Sequence, residues 1–346
     1  MTSGKSVFIV GPGFIGWNVL DLLIAECYAV TGFVRRKEHG QQIQASGASP
    51  VYGDLNDKQF IKEQTLKHDI VIHTATADHL PSVEAILDGV RLRAEKGQTT
   101  TFIHTSGTSV LDDCAMGAFK SDRIYHDDVR SEVDSVSDSA PHREIDLAVV
   151  KCQRELGTKV KIAIIIPPLI YGFNPSHKRL SIQIPTLTRF ALKHGYAAHV
   201  GKGLSVESNI HVLDLARAYM TVLKYMTGSA PVELLENPYF FCETTGDKEP
   251  SWYDVATLIG ESLYQAGKIH SPEPKKIAQN LYGDLFGDFT EAVIGLNSRS
   301  RADRLRALGW EPREKDWKAS YVEDELPELL KEDVGNFDGY KGIVPS

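Results

Sequence analysis

The pattern of apolar segments constrains the fold of this chain more than any other sequence feature. Short runs of aliphatic and β-branched residues alternate with longer amphipathic stretches through the first half of the chain. This alternation is typical of parallel strands that are joined by crossover helices. The runs are almost continuously apolar, as in strands that are covered on both faces. The sequence therefore predicts an α/β fold with a doubly wound parallel sheet, and its predicted strands are 6–10, 29–34, 50–52, 69–74, 100–105 and 161–166.

Helices and a second lobe are also predicted. The 346 residues are too many for one small core, and the pattern becomes irregular after Gly172. We expect a main domain of residues 1–172 with about 205–228, a smaller C-terminal substrate lobe of about 173–204 and 229–330, and a loosely packed tail, 331–346. Residues 112–141 are predicted to form a long surface loop. Predicted helices are 14–28, 80–96, 142–156, 183–195, 212–226, 251–266 and 299–308, with a further strand at 239–242.

Composition excludes several classes of protein. The net charge of -8 argues against a nucleic-acid surface. We interpret the one basic cluster, at 299–306, as a solvated helix face. No apolar run approaches the roughly 20 residues of a membrane span. The N-terminus lacks the pattern of a signal peptide, which predicts a cytoplasmic protein. Four widely spaced cysteines predict neither a metal site nor a disulfide framework.

A glycine motif stands between the first predicted strand and the first predicted helix. Residues 11–16 read Gly11-Pro12-Gly13-Phe14-Ile15-Gly16, which is the GxGxxG pattern in its proper context. Glycines permit a tight turn and close backbone approach, and the helix N-terminus directs free N–H groups at a pyrophosphate. The motif predicts a Rossmann-type dinucleotide site, whereas a purely structural turn is the alternative.

Two arginines follow the second predicted strand. An NAD-binding chain normally places Asp or Glu there for the ribose hydroxyls, but this chain has Arg35 and Arg36. Guanidinium groups bind phosphate in bidentate fashion, so the pair favours NADP(H) over NAD(H). The alternative is that both are solvated at a strand end. Asp54 and Leu55, after the third strand, are expected beside the adenine ring, unless they form a simple turn.

Further motifs resemble those of the extended short-chain dehydrogenase/reductase family, which includes nucleotide-sugar epimerases and dehydratases. The resemblance covers about residues 6–310 and implies the Rossmann fold and a nicotinamide cofactor. It also implies cofactor contacts by Thr74, Ala75, Thr105, Pro167 and Leu169. The motifs are Gly13-Phe14-Ile15-Gly16, Gly53-Asp54-Leu55, His73-Thr74-Ala75, Thr105-Ser106-Gly107, the run 167–172, the run 209–214 and the run 308–312.

The sequence departs from that family at two points. The glycine loop is one residue shorter than usual, and the family's catalytic Tyr-x-x-x-Lys motif is missing. At the expected position the chain has His142 and Asp146, four residues apart on a predicted helix and hence on one face. A carboxylate beside an imidazole makes an acid/base group that titrates near neutrality. The pair is therefore a candidate for proton transfer, or else two capping groups that remain after catalytic loss.

Two hydroxyl groups are further catalytic candidates. Ser106 flanks Gly107, which occupies the position of the hydroxyl residue that hydrogen-bonds the reacting carbonyl in the resembled family. Tyr125 lies in the loop before the altered motif and is a second possible proton donor. Its alternative is a surface aromatic residue without a catalytic role.

Three functions are consistent with these features. The first is an atypical NADP(H)-dependent oxidoreductase or epimerase-like enzyme that acts on a small carbonyl or hydroxyl compound. The second is a redox-neutral acid/base enzyme that keeps the dinucleotide as architecture. The third is a dinucleotide-sensing regulator of the NmrA type without turnover. In each case we expect a small-molecule ligand and a monomer or homodimer.

Overall fold

The computed structural model describes residues 4–229, 231–246 and 248–341. Residues 1–3 of the predicted main domain, 230 and 247 of the predicted lobe and 342–346 of the predicted tail lie outside these ranges. Strands of the described ranges are β1 Ser6–Val10, β2 Ala29–Val34, β3 Ser49–Tyr52, β4 Ile70–His73, β5 Thr100–Thr105, β6 Tyr125–His126, β7 Val160–Ile166, β8 Leu169–Tyr171, β9 Ala198–His199, β10 Asn209–His211, β11 Tyr239–Phe241, β12 Lys275–Lys276 and β13 Ser300–Arg301.

Helices alternate with strands along the chain from β1 to β5. The helices of the described ranges are α1 Gly16–Ala25, α2 Lys37–Ala45, α3 Lys58–Lys67, α4 Leu80–Glu95, α5 Arg130–Asp134, α6 Arg143–Leu156, α7 Gln183–His194, α8 Val212–Gly228, α9 Pro231–Glu236, α10 Trp252–Gln265, α11 Thr290–Ile294, α12 Asp303–Ala307, α13 Trp317–Ser320 and α14 Leu326–Leu329. Within the described ranges, no helix combines the length and the apolar character that crossing a membrane requires.

The centre of the fold is a seven-stranded sheet in the order β11-β7-β5-β4-β1-β2-β3, with parallel pairing between neighbours. The doubly wound Rossmann prediction is confirmed. Strand β11 lies in the range 229–330, which the sequence assigned to the smaller lobe, yet it pairs with β7 at the sheet edge. Phe240 and Phe241 are fully buried there, so this segment belongs to the main domain.

The alternation of side chains along each strand builds two cores. On β1, Val7 and Ile9 pack on one face with α1 and α8, whereas Phe8 and Val10 pack on the other with α4 and α6. All four side chains are fully buried. This two-sided burial explains why the strands appear as continuous apolar runs in the sequence.

A third apolar cluster lies in the smaller lobe. It joins α7 and α10 with the C-terminal segments and includes Trp252 and Tyr321. The tail contributes to it, because the Tyr340 N–H donates to the Leu285 carbonyl over 2.6 Å and its ring packs near Phe286. Of the described tail residues 331–341, only Tyr340 packs against this cluster, and all of them are exposed or half-buried.

Two sequence-based assignments are wrong for the same reason. The segment 112–141, predicted as a loop, contains α5 and the strand β6. That strand pairs with β13, in the segment 299–308 that the sequence predicted as one helix. The pairing joins residues about 175 positions apart, so no local pattern reports it.

The basic cluster at 299–306 is not a solvated face either. Arg299 and Arg301 both pair with the buried carboxylate of Glu249, over 3.2 and 2.7 Å. Arg306 pairs with Glu243, whose side chain is fully buried. These ion pairs join the basic cluster to the segment that follows β11.

Candidate functional site

A cleft of about 1630 Å³ opens at the carboxyl ends of the central strands, below the smaller lobe. This is the edge at which doubly wound sheets bind ligands. Most of the cofactor residues predicted from sequence line it, as does Ser106. Those in the lining are Gly11, Gly13, Phe14, Ile15, Arg35, Arg36, Asp54, Leu55, Thr74, Ala75, Thr105 and Pro167.

The glycine loop is held tightly against the neighbouring strand. The Thr74 hydroxyl donates to the Gly11 carbonyl over 2.8 Å. A Cβ at Gly16 would collide with the Thr74 hydroxyl and lie 2.6 Å from the Gly11 oxygen, whereas a Cβ at Gly13 would meet that oxygen only at 3.9 Å. The first turn of α1 carries no acidic residue that would compete for its N–H groups. The loop and helix thus fit a pyrophosphate.

Three arginines gather at the α2 end of the cleft. Arg35 and Arg36 follow β2 and are exposed, and Arg179 reaches the same region from the smaller lobe. Among the described residues, no carboxylate lies within ion-pair distance of any of the three. Burial and the charge of Arg36 lower the pKa of Arg179, and burial and the charge of Arg179 lower the pKa of nearby His39 to about 4. This end of the cleft therefore carries unneutralised positive charge.

The segment that carries Arg179 is anchored on α1. His177 stacks on Trp17 with 3.9 Å between ring centroids, and its Nε2 lies 2.7 Å from the Asp21 carboxylate. The Arg179 guanidinium lies over the Trp17 ring, 5.0 Å from its centroid. Asn174 donates to the side chain of Asn18 over 2.7 Å. These contacts hold Arg179 beside the cleft.

At the other end of the cleft, the segments after β5 and β7 meet. The Ser106 N–H donates to the Ile165 carbonyl over 2.8 Å, and the Thr108 N–H donates to the Pro167 carbonyl over 3.0 Å. The Thr105 hydroxyl donates to the His73 carbonyl over 2.6 Å. Leu169, a predicted cofactor contact, instead packs in the third apolar cluster and lies outside the cleft lining.

The predicted contact between His142 and Asp146 is absent. Helix α6 begins at Arg143, and His142 precedes it in a left-handed conformation (φ 65°), so the two residues do not share a helix face. The His142 Nδ1 lies 2.7 Å from Asp78, which lines the cleft. Burial acts to raise the pKa of Asp78, but the hydrogen bond and charge of His142 outweigh it and the pKa is lowered. The dyad prediction is therefore wrong in its geometry.

Asp146 belongs to a different buried group. It accepts a hydrogen bond of 2.8 Å from the Ser106 hydroxyl, and its other oxygen lies 3.6 Å from His104 Nε2. Burial raises the pKa of Asp146 to about 6, against the opposing effects of Ser106 and of the His142 charge. Burial and the neighbouring His73 hold the pKa of His104 well below its ordinary value. Ser106 therefore connects the cleft to a buried carboxyl group whose pKa is raised.

Tyr125 lies away from this group. It is on β6 and packs in the core beside α4 and α6, and Arg123 covers its ring at 4.3 Å from the centroid. It is not among the residues that line the cleft. Burial raises the pKa of its hydroxyl. Its position favours a structural role.

Sequence reasoning missed three residues near the cleft. Arg179 lies in a segment without periodicity, where only the basic pair Lys178-Arg179 could have indicated it. His104 lies on β5, two residues before Ser106, and a histidine within a predicted strand is only a weak signal of a functional residue. Glu207 precedes the recognised 209–214 motif and has one buried carboxylate oxygen without a hydrogen-bond partner in the described structure.

Comparison with known proteins agrees with this architecture. Residues 7–232 match the model of the NAD dependent epimerase/dehydratase family. The chain belongs to this family. Its members bind nicotinamide dinucleotides and act on small molecules, and the resemblance inferred from the sequence motifs is confirmed.

Individual relatives are distant. The chain is 28% identical to the oxidase ucsJ of Acremonium sp. over 339 residues, which covers 89% of this chain and 93% of the relative. UDP-glucose 4-epimerase of Thermotoga maritima has a TM-score of 0.65 at 16% identity and covers 94% of this chain and 100% of its own. Yeast methylglyoxal/isovaleraldehyde reductase Gre2, complexed with NADPH, has a TM-score of 0.61 at 16% identity, with 94% and 98% covered. These structures share the fold.

Proposed function

We propose that this protein is an NADP(H)-dependent oxidoreductase that acts on a small carbonyl or hydroxyl compound. The observation that carries the proposal is the arginine group at the α2 end of the cleft. Arg35, Arg36 and Arg179 meet there without an acidic partner in the described structure. Unneutralised guanidinium groups at the adenosine end of a dinucleotide cleft match a 2′-phosphate.

The alternative cofactor fits this end less well. NAD(H) binding normally uses a carboxylate after the second strand, and Arg35 and Arg36 occupy that position. Asp21, a carboxylate on α1 that lines the cleft, is already bonded to His177. The NADPH complex of the distant structural neighbour Gre2 supports the proposal at the level of the fold only.

The protein's own residues suit the proton-transfer half of the reaction. A bound dinucleotide supplies or accepts the hydride. Ser106 lies in the cleft lining after β5, and in reduction its hydroxyl passes its proton to the substrate oxygen. Asp146, hydrogen-bonded to Ser106, returns a proton to that hydroxyl. Because its pKa is about 6, Asp146 is available in both protonation states near neutral pH.

The test is consumption of NADPH, followed by absorbance, against a panel of aldehydes, ketones and keto esters. We expect consumption with NADPH to exceed that with NADH at equal subsaturating concentrations. Ser106→Ala is expected to lower turnover by about 10²–10⁴-fold, the usual contribution of a positioned acid or base. The matched control is Ser137→Ala, an exposed serine whose hydroxyl bonds only to the neighbouring Ser139.

Asp146→Asn tests whether Asp146 supplies a proton to Ser106 or only forms a structural hydrogen bond with it. Asn keeps an oxygen that accepts from Ser106 but cannot supply a proton. The rate of reduction by the native enzyme should fall as pH rises through about 6, the pKa of Asp146, and this dependence should disappear in the variant. A variant with the native rate and pH profile would exclude Asp146 from proton transfer.

One observation favours a second candidate function. The group formed by Ser106, Asp146 and His104 provides acid/base chemistry without requiring hydride transfer. A redox-neutral enzyme such as an isomerase or dehydratase would use the same residues and form product without net NADPH consumption. A dinucleotide-sensing regulator would bind NADPH and form no product.

A further inference from the structure

Glu207 occupies the cleft wall beside the segments that follow β5 and β7. It lies two residues before β10, whose first residue Asn209 is paired with Leu169 of β8. This register brings Glu207 to the level of Pro167. Its backbone is fixed from the other side as well, because its N–H donates to the Pro250 carbonyl over 3.3 Å and it forms a bridge with Ser298. The side chain therefore has a defined place in the wall.

The carboxyl group of Glu207 lacks partners that would stabilise it in the free protein. The residue is only 6% exposed, and Oε2 is sealed from solvent without a hydrogen-bond partner among the described residues. No Lys, Arg or His of the described ranges lies within ion-pair distance. Because the residue lines the cleft and Oε2 is sealed, Oε1 is the oxygen available to a ligand. An unpaired buried polar group of this kind is costly and is commonly explained by function.

The surroundings of Glu207 favour its neutral form. Burial and the like charge of Asp112 raise the pKa of Glu207 well above its ordinary value. Asp112 itself has a raised pKa, because it is partly buried and lies beside Asp113. A neutral carboxyl group with a sealed Oε2 has one O–H to donate. It thus suits an acceptor oxygen rather than a cationic group.

We propose that Glu207 donates a hydrogen bond to a second oxygen atom of the substrate while Ser106 contacts the reacting oxygen. The proposal rests on the proposed function and adds a substrate class: carbonyl compounds that carry another carbonyl, ester or hydroxyl oxygen. A compound with one oxygen leaves the Glu207 carboxyl unpaired in the cleft wall, and such a site discriminates against it. Because Glu207 and Ser106 line the same cleft, Glu207 is a determinant of specificity in this proposal.

The experiment measures ligand binding first, so that it does not depend on turnover. Full-length protein saturated with NADP⁺ is titrated, by ligand-observed NMR, with 2-pentanone, ethyl 2-oxobutanoate, ethyl 3-oxobutanoate and ethyl 4-oxopentanoate. The three esters vary the spacing of the second oxygen. At least one of them should bind about tenfold or more tightly than 2-pentanone, the size of effect expected for one hydrogen bond. Equal binding of all four compounds would overturn the proposal.

Two variants assign the preference to Glu207. Glu207→Met keeps the length of the side chain but has no donor, and it should bind the preferred ester no better than 2-pentanone. Glu207→Gln keeps a neutral N–H donor and should retain most of the preference. NADPH affinity is measured in both variants as well, because Glu207 lies at the level of the predicted cofactor contact Pro167, and the ester preference is compared with the cofactor site saturated. Undiminished preference in Glu207→Met would contradict the proposal.

A pH titration gives a readout that a merely structural role would not change. Binding of the preferred ester to the native protein should weaken as pH rises and Glu207 ionises, whereas binding to Glu207→Gln should not. This comparison also decides the matter if Glu207→Met fails to fold. Failure of the proposed function is distinguished separately: the native protein would then bind the ester with the Glu207-dependent preference but would not oxidise NADPH.

Discussion

Replacement of Arg179 should abolish most of the preference for NADPH over NADH. A charge-assisted hydrogen bond to phosphate contributes about 1.5–3 kcal/mol, and 1.4 kcal/mol corresponds to a factor of ten in Kd. Arg179 is half-buried against Trp17, so its contact with a 2′-phosphate is shielded from solvent. Arg179→Ala should therefore weaken NADPH binding by about 10–100-fold. NADH lacks the 2′-phosphate, and its affinity should change by less than about twofold.

Arg36 provides an internal comparison. It is exposed, and an exposed ion pair contributes only about 0.2–1 kcal/mol after screening. Arg36→Ala should thus cost at most about fivefold in NADPH affinity, and added salt should reduce that effect more than the effect of Arg179→Ala. The assay is titration of NADPH and NADH by calorimetry. Arg91→Ala is the control, because Arg91 pairs with Asp88 and Glu155 at the surface. Equal loss of NADPH and NADH affinity in Arg179→Ala would show that Arg179 does not contact the 2′-phosphate.

Three further predictions follow from the geometry of the cleft. Gly13→Ala should leave the melting temperature unchanged but weaken the binding of NADPH and NADH equally. Gly16→Ala should also lower the melting temperature, because its Cβ would collide with Thr74. Equal melting temperatures of the two variants would contradict the close approach of Gly16 to Thr74. His142→Phe should reduce turnover less than about tenfold, because its partner is Asp78 rather than the carboxyl group bonded to Ser106; a loss as large as that of the Ser106→Ala variant would make His142 the proton donor. The pKa of Asp146 is raised in the folded state to about 6 from 3.8, so ionisation of Asp146 destabilises the fold as pH rises through this window. The free energy of unfolding of Asp146→Asn, measured in urea, should therefore rise by roughly 3 kcal/mol relative to that of the native protein between pH 4 and 7. A constant difference between the two proteins would show that the carboxyl is not perturbed.

The sequence was sufficient to predict the central sheet because its signal is local. Strands β1 to β5 are apolar runs bounded by turns, and the glycine motif lies directly between β1 and α1. Arg35 and Arg36 could be placed in the cleft from their distance to that motif alone. The central sheet and the phosphate-binding end of the candidate site could be predicted from the sequence for this reason.

The remaining parts depend on contacts between distant segments. Arg179 is held at the α2 end of the cleft by contacts of its segment with α1, among them the stacking of His177 on Trp17, about 160 residues earlier in the chain. The pairing of β6 with β13 is of the same kind. Periodicity and spacing report neighbours along one element, so they contain no signal for these contacts.

An error of one residue in the predicted start of α6 led to the wrong pair of residues for proton transfer. His142 and Asp146 would share a face if both were helical, but α6 begins one residue later, and Asp78 bonds to the imidazole instead. Helix ends are poorly defined by sequence, because a single left-handed residue can precede the first turn. Asp146 remained a candidate, but with Ser106 rather than His142 as its partner.

The most direct test of the account is the fate of hydride during a single turnover. The full-length protein is mixed with a slight excess of a carbonyl compound from the panel and with NADPH that carries deuterium at the transferable C4 position, and product and cofactor are measured together. Loss of NADPH absorbance should equal the product formed, and deuterium should appear on the former carbonyl carbon. Product formation with NADPH absorbance and label retained would contradict hydride transfer from NADPH.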